Sequence, residues 1–338
     1  MGAVMRKVAV MGSGSWGTVF SKVSIDAGHD VVLWSRSDEI ATAINNKHHN
    51  PYYVTDIALP KTLRATTNPY EALDGADVIV IGLPSHAYRE NLQQWKIPSS
   101  AVLVSLAKGI ETESNLRMTE VMLQSTHVSE EYVSVISGPN LAYEIGQEQP
   151  TATTVACIDE KNARLVQEIC ANNYFRPYYT HDVIGVEIAG AMKNVIALAN
   201  GIAVGLGLGE NSQASLITRG LHEMSQLGTA LGADMRTFMG LAGAGDLLAT
   251  SQSPLSRNRS FGVHLGQGKS LEEVIALTTE TSEAVKSCLP LLKLGSSVGI
   301  DLPITAGVVA VVHRKLDPRE LIRKFMARAT KAEYEQEG

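Results

Sequence analysis

The sequence predicts an α/β Rossmann domain, a mostly parallel sheet with helices on both faces, followed by an all-helical domain. Three observations carry this. Short Val/Ile-rich runs alternate with helical stretches through the first half. A glycine motif sits at the first strand-to-helix turn. After about His181 the strand signals thin out and helical segments dominate. Near-continuous apolar runs suit strands covered on both sides.

Taken in order, Lys7–Met11 is the first strand and Trp16–Ala27 a helix stopped by Gly28. Asp30–Trp34 is a second buried strand. Asp77–Gly82 and Ala101–Ser105 are two more, each after a polar helical stretch. Tyr132–Ile136 and Thr153–Cys157 add further strands. Helices follow at Val186–Ala203, Ser212–Gly232, Leu271–Leu277, Ser282–Val298, Ile304–His313 and Pro318–Thr330. Gly201–Gly209 and Ser251–Arg259 read as loops. The boundary falls at about residue 180, dividing the chain into 1–180 and 181–338.

The 338 residues suffice for two cores, with 44% hydrophobic and 19% charged residues, a composition that excludes a disordered or fibrous chain. A formal net charge of −6 and 5% aromatics argue against nucleic acid. Cys157, Cys170 and Cys288 form no CxxC or Cys/His cluster, so no metal is expected and a reducing cytoplasm is the natural compartment. The apolar start is broken by Gly12, Ser13 and Gly14 and has no Ala-x-Ala site, unlike a signal peptide. No run approaches the roughly 18 apolar residues of a membrane span, so no integral membrane contact is expected.

Gly12-Ser13-Gly14-Ser15-Trp16-Gly17 is a G-x-G-x-x-G between strand and helix, with a second strand following. Gly12 permits the tight turn, Gly14 lets a pyrophosphate approach the backbone, and Gly17 packs helix against strand. The helix start then offers N–H groups to the diphosphate; the alternative is a ligand-free glycine turn. At the second strand's tip the chain reads Leu33-Trp34-Ser35-Arg36-Ser37, with no carboxylate. Arg36 favours a 2′-phosphate, so NADP(H) is preferred with NAD(H) also admitted. The competing reading has Arg36 stacked on adenine or solvated, and Asp38 and Glu39 lie close by. Gly82-Leu83-Pro84-Ser85 ends another strand, either at a ligand or as a plain turn.

The second half carries candidate chemistry. Lys108, after the Ala101–Ser105 strand, suits an anionic substrate. Ser137-Gly138-Pro139-Asn140-Leu141-Ala142 follows a strand and opens a short helix. Lys193 stands isolated in a helix of small and apolar residues. The segments GSGSWG, LAKGIE, SGPNLAYE, GAMKNVIA, ITRGLHEMSQLG, LAGAGDLLAT and SRNRSFG, in this order, resemble the bacterial type of NAD(P)-dependent glycerol-3-phosphate dehydrogenase. The resemblance runs from about Val8 to Thr330. It implies a Rossmann domain, then a helical domain like that of 6-phosphogluconate dehydrogenase. It also implies reversible NAD(P)H-dependent reduction of dihydroxyacetone phosphate to sn-glycerol 3-phosphate, feeding glycerophospholipid synthesis.

Residue by residue, the resemblance assigns Ser15, Trp16, Arg36 and Tyr53 to the cofactor. Lys108 lies between cofactor and substrate. Gly138 and Asn140 border the substrate and Ala142 the cofactor. Lys193 is the acid/base. Asp246, Ser256, Arg257 and Asn258 complete the substrate pocket, Arg257 also reaching the cofactor, and Thr281 and Glu283 meet the nicotinamide side. Asn140 replaces the family's usual Ser or Thr, and Ala284 its usual glycine.

The chemistry makes matching demands. Charge developing on a carbonyl oxygen needs a proton donor and fixed positive charge, and Lys193 supplies both. Ser256-Arg257-Asn258-Arg259 offers hydroxyl, guanidinium and amide donors to a phosphate. Plainer readings remain for each: a snorkelling Lys193, Asp246 as a helix cap, a solvated Arg257/Arg259 patch. Rival functions are a β-hydroxyacid dehydrogenase or ketopantoate reductase, against which the phosphate-suited Ser256–Arg259 cluster argues, and a non-catalytic NADP(H) sensor. The partner expected is a small phosphate ester, and the chain is compatible with a homodimer.

Overall fold

The computed structural model describes residues 4–278, 282–327, 330, 332 and 333. β1 (Lys7–Met11), α1 (Ser15–Asp26), β2 (Asp30–Trp34), α2 (Asp38–Lys47), β3 (Arg64–Thr66), α3 (Pro69–Leu73), β4 (Val78–Ile81) and α4 (Tyr88–Gln94) come first. β5 (Val102–Ser105), α5 (Met118–Ser125), β6 (Val133–Ser137), α6 (Ala142–Gly146), β7 (Thr151–Cys157), α7 (Glu160–Glu168) and β8 (Phe175–Thr180) complete the sheet region. The eight strands lie in the order β3-β2-β1-β4-β5-β6-β7-β8. Every pairing is parallel except β6–β7. One apolar core fills each face of the sheet.

Local chemistry sets the helix starts. Ser37, Asn68, Asp159, Asp182 and Ser256 accept backbone N–H groups at the starts of their helices, as capping residues do. Two strands escape the sequence reading. β3 is only three residues long and starts with an exposed arginine. β8 contains Pro177, which cannot donate to a ladder and is tolerated because β8 is the sheet's edge.

The helical region holds α8 (Val183–Gly205), α9 (Glu210–Ala230), α10 (Met235–Met239), α11 (Asp246–Gln252) and α12 (Arg257–Gly266). α13 (Leu271–Leu277), α14 (Glu283–Ser297), α15 (Pro303–Arg314) and α16 (Pro318–Met326) follow. α8 is the axis of this core. It is long and apolar enough to cross a membrane, yet every residue from Gly185 to Ala203 is buried within the protein. The loop expected at Gly201–Gly209 is a correction: helix continues to Gly205. The reason is packing against α12. A Cβ at Gly201 would lie 2.1 Å from the Arg259 carbonyl oxygen, and one at Gly205 2.2 Å from that of Val263. Reciprocally, Gly262 faces the Leu198 carbonyl and Gly266 that of Ile202. The contact needs bare backbone, which overrides the low helix propensity of glycine. The second expected loop, Ser251–Arg259, shrinks to residues 253–256 between α11 and α12.

Candidate active site

The C-terminal ends of β1, β4, β5 and β6 meet the helical region along one crevice. On the sheet side the glycine loop is made of close backbone contacts. Gly12 has φ +133°, and a Cβ there would meet the Gly82 carbonyl oxygen at 2.6 Å. A Cβ on Gly17 would lie 2.0 Å from the Gly12 carbonyl oxygen. Gly14, at the cap of α1, has open space over its Cα, as a pyrophosphate cradle requires. Ser15 is exposed at the start of α1. The Trp16 indole is tucked against Phe20 and Phe175. Ser13 and Ser35 share a hydrogen bond of 2.8 Å that ties this loop to the tip of β2.

Arg36 is exposed just beyond that tip. The two carboxylates nearest in sequence are engaged elsewhere: Asp38 accepts from the Thr67 hydroxyl at 3.0 Å, and Glu39 from the Tyr52 hydroxyl at 2.6 Å. Tyr53 is half-buried, its N–H donating to Asn50 Oδ1 at 3.2 Å. Asn50 was not singled out by the sequence. Fully buried, it donates 2.9 Å bonds to the Ser13 carbonyl and Thr18 Oγ1, and so moors the 50–53 loop to the glycine loop.

Across the crevice, Asp246 stands between two lysines. A single π-helical turn, Leu241–Gly245, delivers it to the start of α11. Gly243 in that turn lies so close to Phe238 that a Cβ would overlap the Phe238 backbone. Lys193 Nζ donates to Asp246 Oδ1 at 3.0 Å and to Thr250 Oγ1 at 2.7 Å. Lys108 Nζ donates to Asp246 Oδ2 at 2.5 Å and to the Gly138 carbonyl at 2.8 Å. At Gly190 a Cβ would lie 3.0 Å from Ser137 Oγ, with the Lys108 side chain next at 3.4 Å. Thr250 is a site residue that sequence reasoning missed; its i, i+4 spacing from Asp246 puts both on one helix face but is too common to single it out.

The electrostatics follow from burial. Lys193 and Asp246 are 7% and 2% exposed. Burial, with the Lys108 charge adding to it, lowers the Lys193 ammonium to about 8 despite Asp246. Burial also opposes charge on Asp246, but the two ammoniums outweigh it and hold the carboxyl below its usual range. Two cations against one anion leave the cluster a net positive charge. Each ammonium has three N–H donors. Two on each lysine are spent on the bonds above, leaving one apiece for a ligand, as counted among the described residues.

The other expected residues are held by partners of their own. Asn140 Nδ2 donates to Thr153 Oγ1 at 2.9 Å, while its Oδ1 is buried without a partner. Ala142 opens α6, half-buried against the sheet core. Ser256 caps α12, Arg257 is its exposed first residue, and Asn258 Nδ2 donates to Asn194 Oδ1 at 2.8 Å. Glu283 accepts from the Ser85 hydroxyl at 2.9 Å. Thr281 lies outside the described residues. Among the described residues no group of His, Cys, Asp and Glu is arranged to hold a metal ion.

Comparison with known proteins matches two family models to the chain. The N-terminal model of NAD-dependent glycerol-3-phosphate dehydrogenase matches residues 7–163 and the C-terminal model residues 182–323. The chain is 54% identical to a Corynebacterium diphtheriae protein named glycerol-3-phosphate dehydrogenase (NAD(P)+), over 97% of this chain and 100% of that one. A Thermobifida fusca protein of the same name is 52% identical over 97% and 99%. The crystal structure of a Coxiella burnetii glycerol-3-phosphate dehydrogenase superposes with TM-score 0.89 at 32% identity, covering 96% of this chain and 99% of that one. A Ralstonia eutropha ketopantoate reductase, at 17% identity and TM-score 0.58, shares the fold alone.

Proposed function

The chain belongs to the NAD-dependent glycerol-3-phosphate dehydrogenase family and is an oxidoreductase that reduces dihydroxyacetone phosphate to glycerol 3-phosphate with NAD(P)H; we propose that the Lys193–Asp246–Lys108 cluster carries the chemistry, serving a sheet-side domain of residues 1–180 and a helical domain beyond it. The observation that carries this is a pair of lysines that share one buried carboxylate, each with an N–H donor left unspent.

The glycine loop, with Ser15, Trp16, Tyr53, Ala142 and Glu283 around it, would hold the dinucleotide, and the open space at Gly14 fits its pyrophosphate. When bound, its nicotinamide supplies the hydride. Lys193 donates its spare proton to the carbonyl oxygen in reduction and takes it back in oxidation; an ammonium lowered to about 8 suits both directions. Asp246 and Thr250 aim that ammonium, and Lys108 adds positive charge beside the developing oxyanion. Gly138 and Asn140 line the substrate. Ser256, Arg257 and Asn258, at the first turn of α12, grip the phosphate with a guanidinium and helix-terminal N–H groups. Remote phosphate binding then aligns the carbonyl.

NADPH is the proposed preference, supported by Arg36 and by the engagement of Asp38 and Glu39 with other partners. The free, buried thiols of Cys157, Cys170 and Cys288 support a cytoplasmic setting. The physiological role is supply of glycerol 3-phosphate for glycerophospholipids, and the assembly a homodimer, read by light scattering at twice the 36.3 kDa chain mass. The test of the reaction is NADPH oxidation with dihydroxyacetone phosphate, methylmalonate semialdehyde (the oxidised form of 3-hydroxyisobutyrate) and ketopantoate offered separately. Turnover is expected on the first; turnover on either of the others alone overturns the reading.

A further inference from the structure

A side-chain relay links five segments of the site. Asn194 follows Lys193 on α8, and its Nδ2 donates to the carbonyls of Lys108 at 2.9 Å and Gly190 at 3.3 Å. Carbonyls only accept, so the orientation of this amide is fixed and its Oδ1 must face Asn258 Nδ2, 2.8 Å away. Asn258 Oδ1 then points toward α14. There it accepts from the Ser282 hydroxyl at 2.5 Å and the Ala284 N–H at 3.3 Å. A backbone N–H only donates, so both ends of the relay impose the same direction. Between them Glu283 accepts from Ser85, just beyond β4. The relay thus leaves the sheet after β5, crosses α8, α12 and α14, and returns to the sheet after β4, the neighbouring strand.

Ser282 is 6% exposed and is the side-chain donor to Asn258 Oδ1. Without its hydroxyl, Asn258 is held at that end by the longer Ala284 bond. Asn258 sits in the first turn of α12, beside Arg257.

We propose that Ser282 is a positioning residue for the phosphate of the substrate: by locking the Asn258 amide it holds the first turn of α12 in register with Lys193. This rests on the reading of that turn as the phosphate grip.

The test compares Ser282→Ala and Ser282→Thr with the parent enzyme on two ketones, dihydroxyacetone phosphate and unphosphorylated dihydroxyacetone. For Ser282→Ala, KM for dihydroxyacetone phosphate should rise about five- to tenfold, the loss of one hydrogen bond, with kcat held within about twofold. Its kcat/KM on dihydroxyacetone should stay within about twofold of the parent, since that ketone makes no phosphate contact. Ser282→Thr, which keeps the donor, should recover most of the lost affinity. An unmoved KM, equal losses on both ketones, or a threonine variant as defective as alanine each overturn the proposal. A parent that does not reduce dihydroxyacetone phosphate overturns the functional reading and the proposal with it, whereas an active parent with an unmoved variant overturns the proposal alone.

Discussion

The two sides of the crevice are built from different materials. The sheet side is main chain: Gly12, Gly17 and Gly82 bring carbonyls and N–H groups together, Gly14 stays open, and side chains there mostly moor the loop. The helical side is side chain: Lys193, Asp246, Thr250, Asn194 and Asn258 bond to one another around buried charge. A backbone cradle recognises what all dinucleotides share. A side-chain cluster can be tuned, through burial and neighbours, to the proton it must move.

The sharpest way to break this division is Lys193→Met. It should lower kcat about a thousandfold or more while the NADPH dissociation constant holds; fluorescence titration showing weaker NADPH would mean the two sides are not separable. Gly17→Ala works on the other side. Its added carbon would lie 2.0 Å from the Gly12 carbonyl oxygen. It should cost roughly 3 kcal/mol of stability and weaken dinucleotide binding with it. A melting curve and an NADPH affinity both like the parent's would refute the main-chain account.

The pH dependence is gentler. As the proposed acid/base, Lys193 is required protonated for reduction and neutral for oxidation. With its ammonium at about 8, kcat/KM for reduction should fall about tenfold per pH unit above that value. Oxidation should rise toward the same midpoint from below. A reduction profile flat to pH 10 would assign the proton to another group. The smallest effect is Arg36→Ala, which should shrink the NADPH-over-NADH ratio of kcat/KM about five- to tenfold; an unchanged ratio removes Arg36 from the ribose.

The same division explains what could be read in advance. The glycine loop is legible because its requirements are local: three glycines at fixed spacing after an apolar strand and before a helix. Lys193 stood out as the lone lysine on an apolar helix, but its partners come from α11 and the β5 loop, whose approach depends on the whole fold. Thr250 and Asn194 carried no spacing specific enough to mark them. β8 was hidden by Pro177, and the end of α8 by Gly201 and Gly205, since in isolation both residue types read as breakers. The resemblance brought Asn258 to the substrate pocket, but only the folded chain reveals that its amide oxygen is already occupied by α14.

The glycine contact between α8 and α12 has a mechanical consequence. With four bare Cα positions dovetailed against opposing carbonyls, the two helices cannot slide or roll past one another without steric overlap. Lys193 on α8 and the first turn of α12, the proposed proton donor and phosphate grip, are therefore held at a fixed spacing.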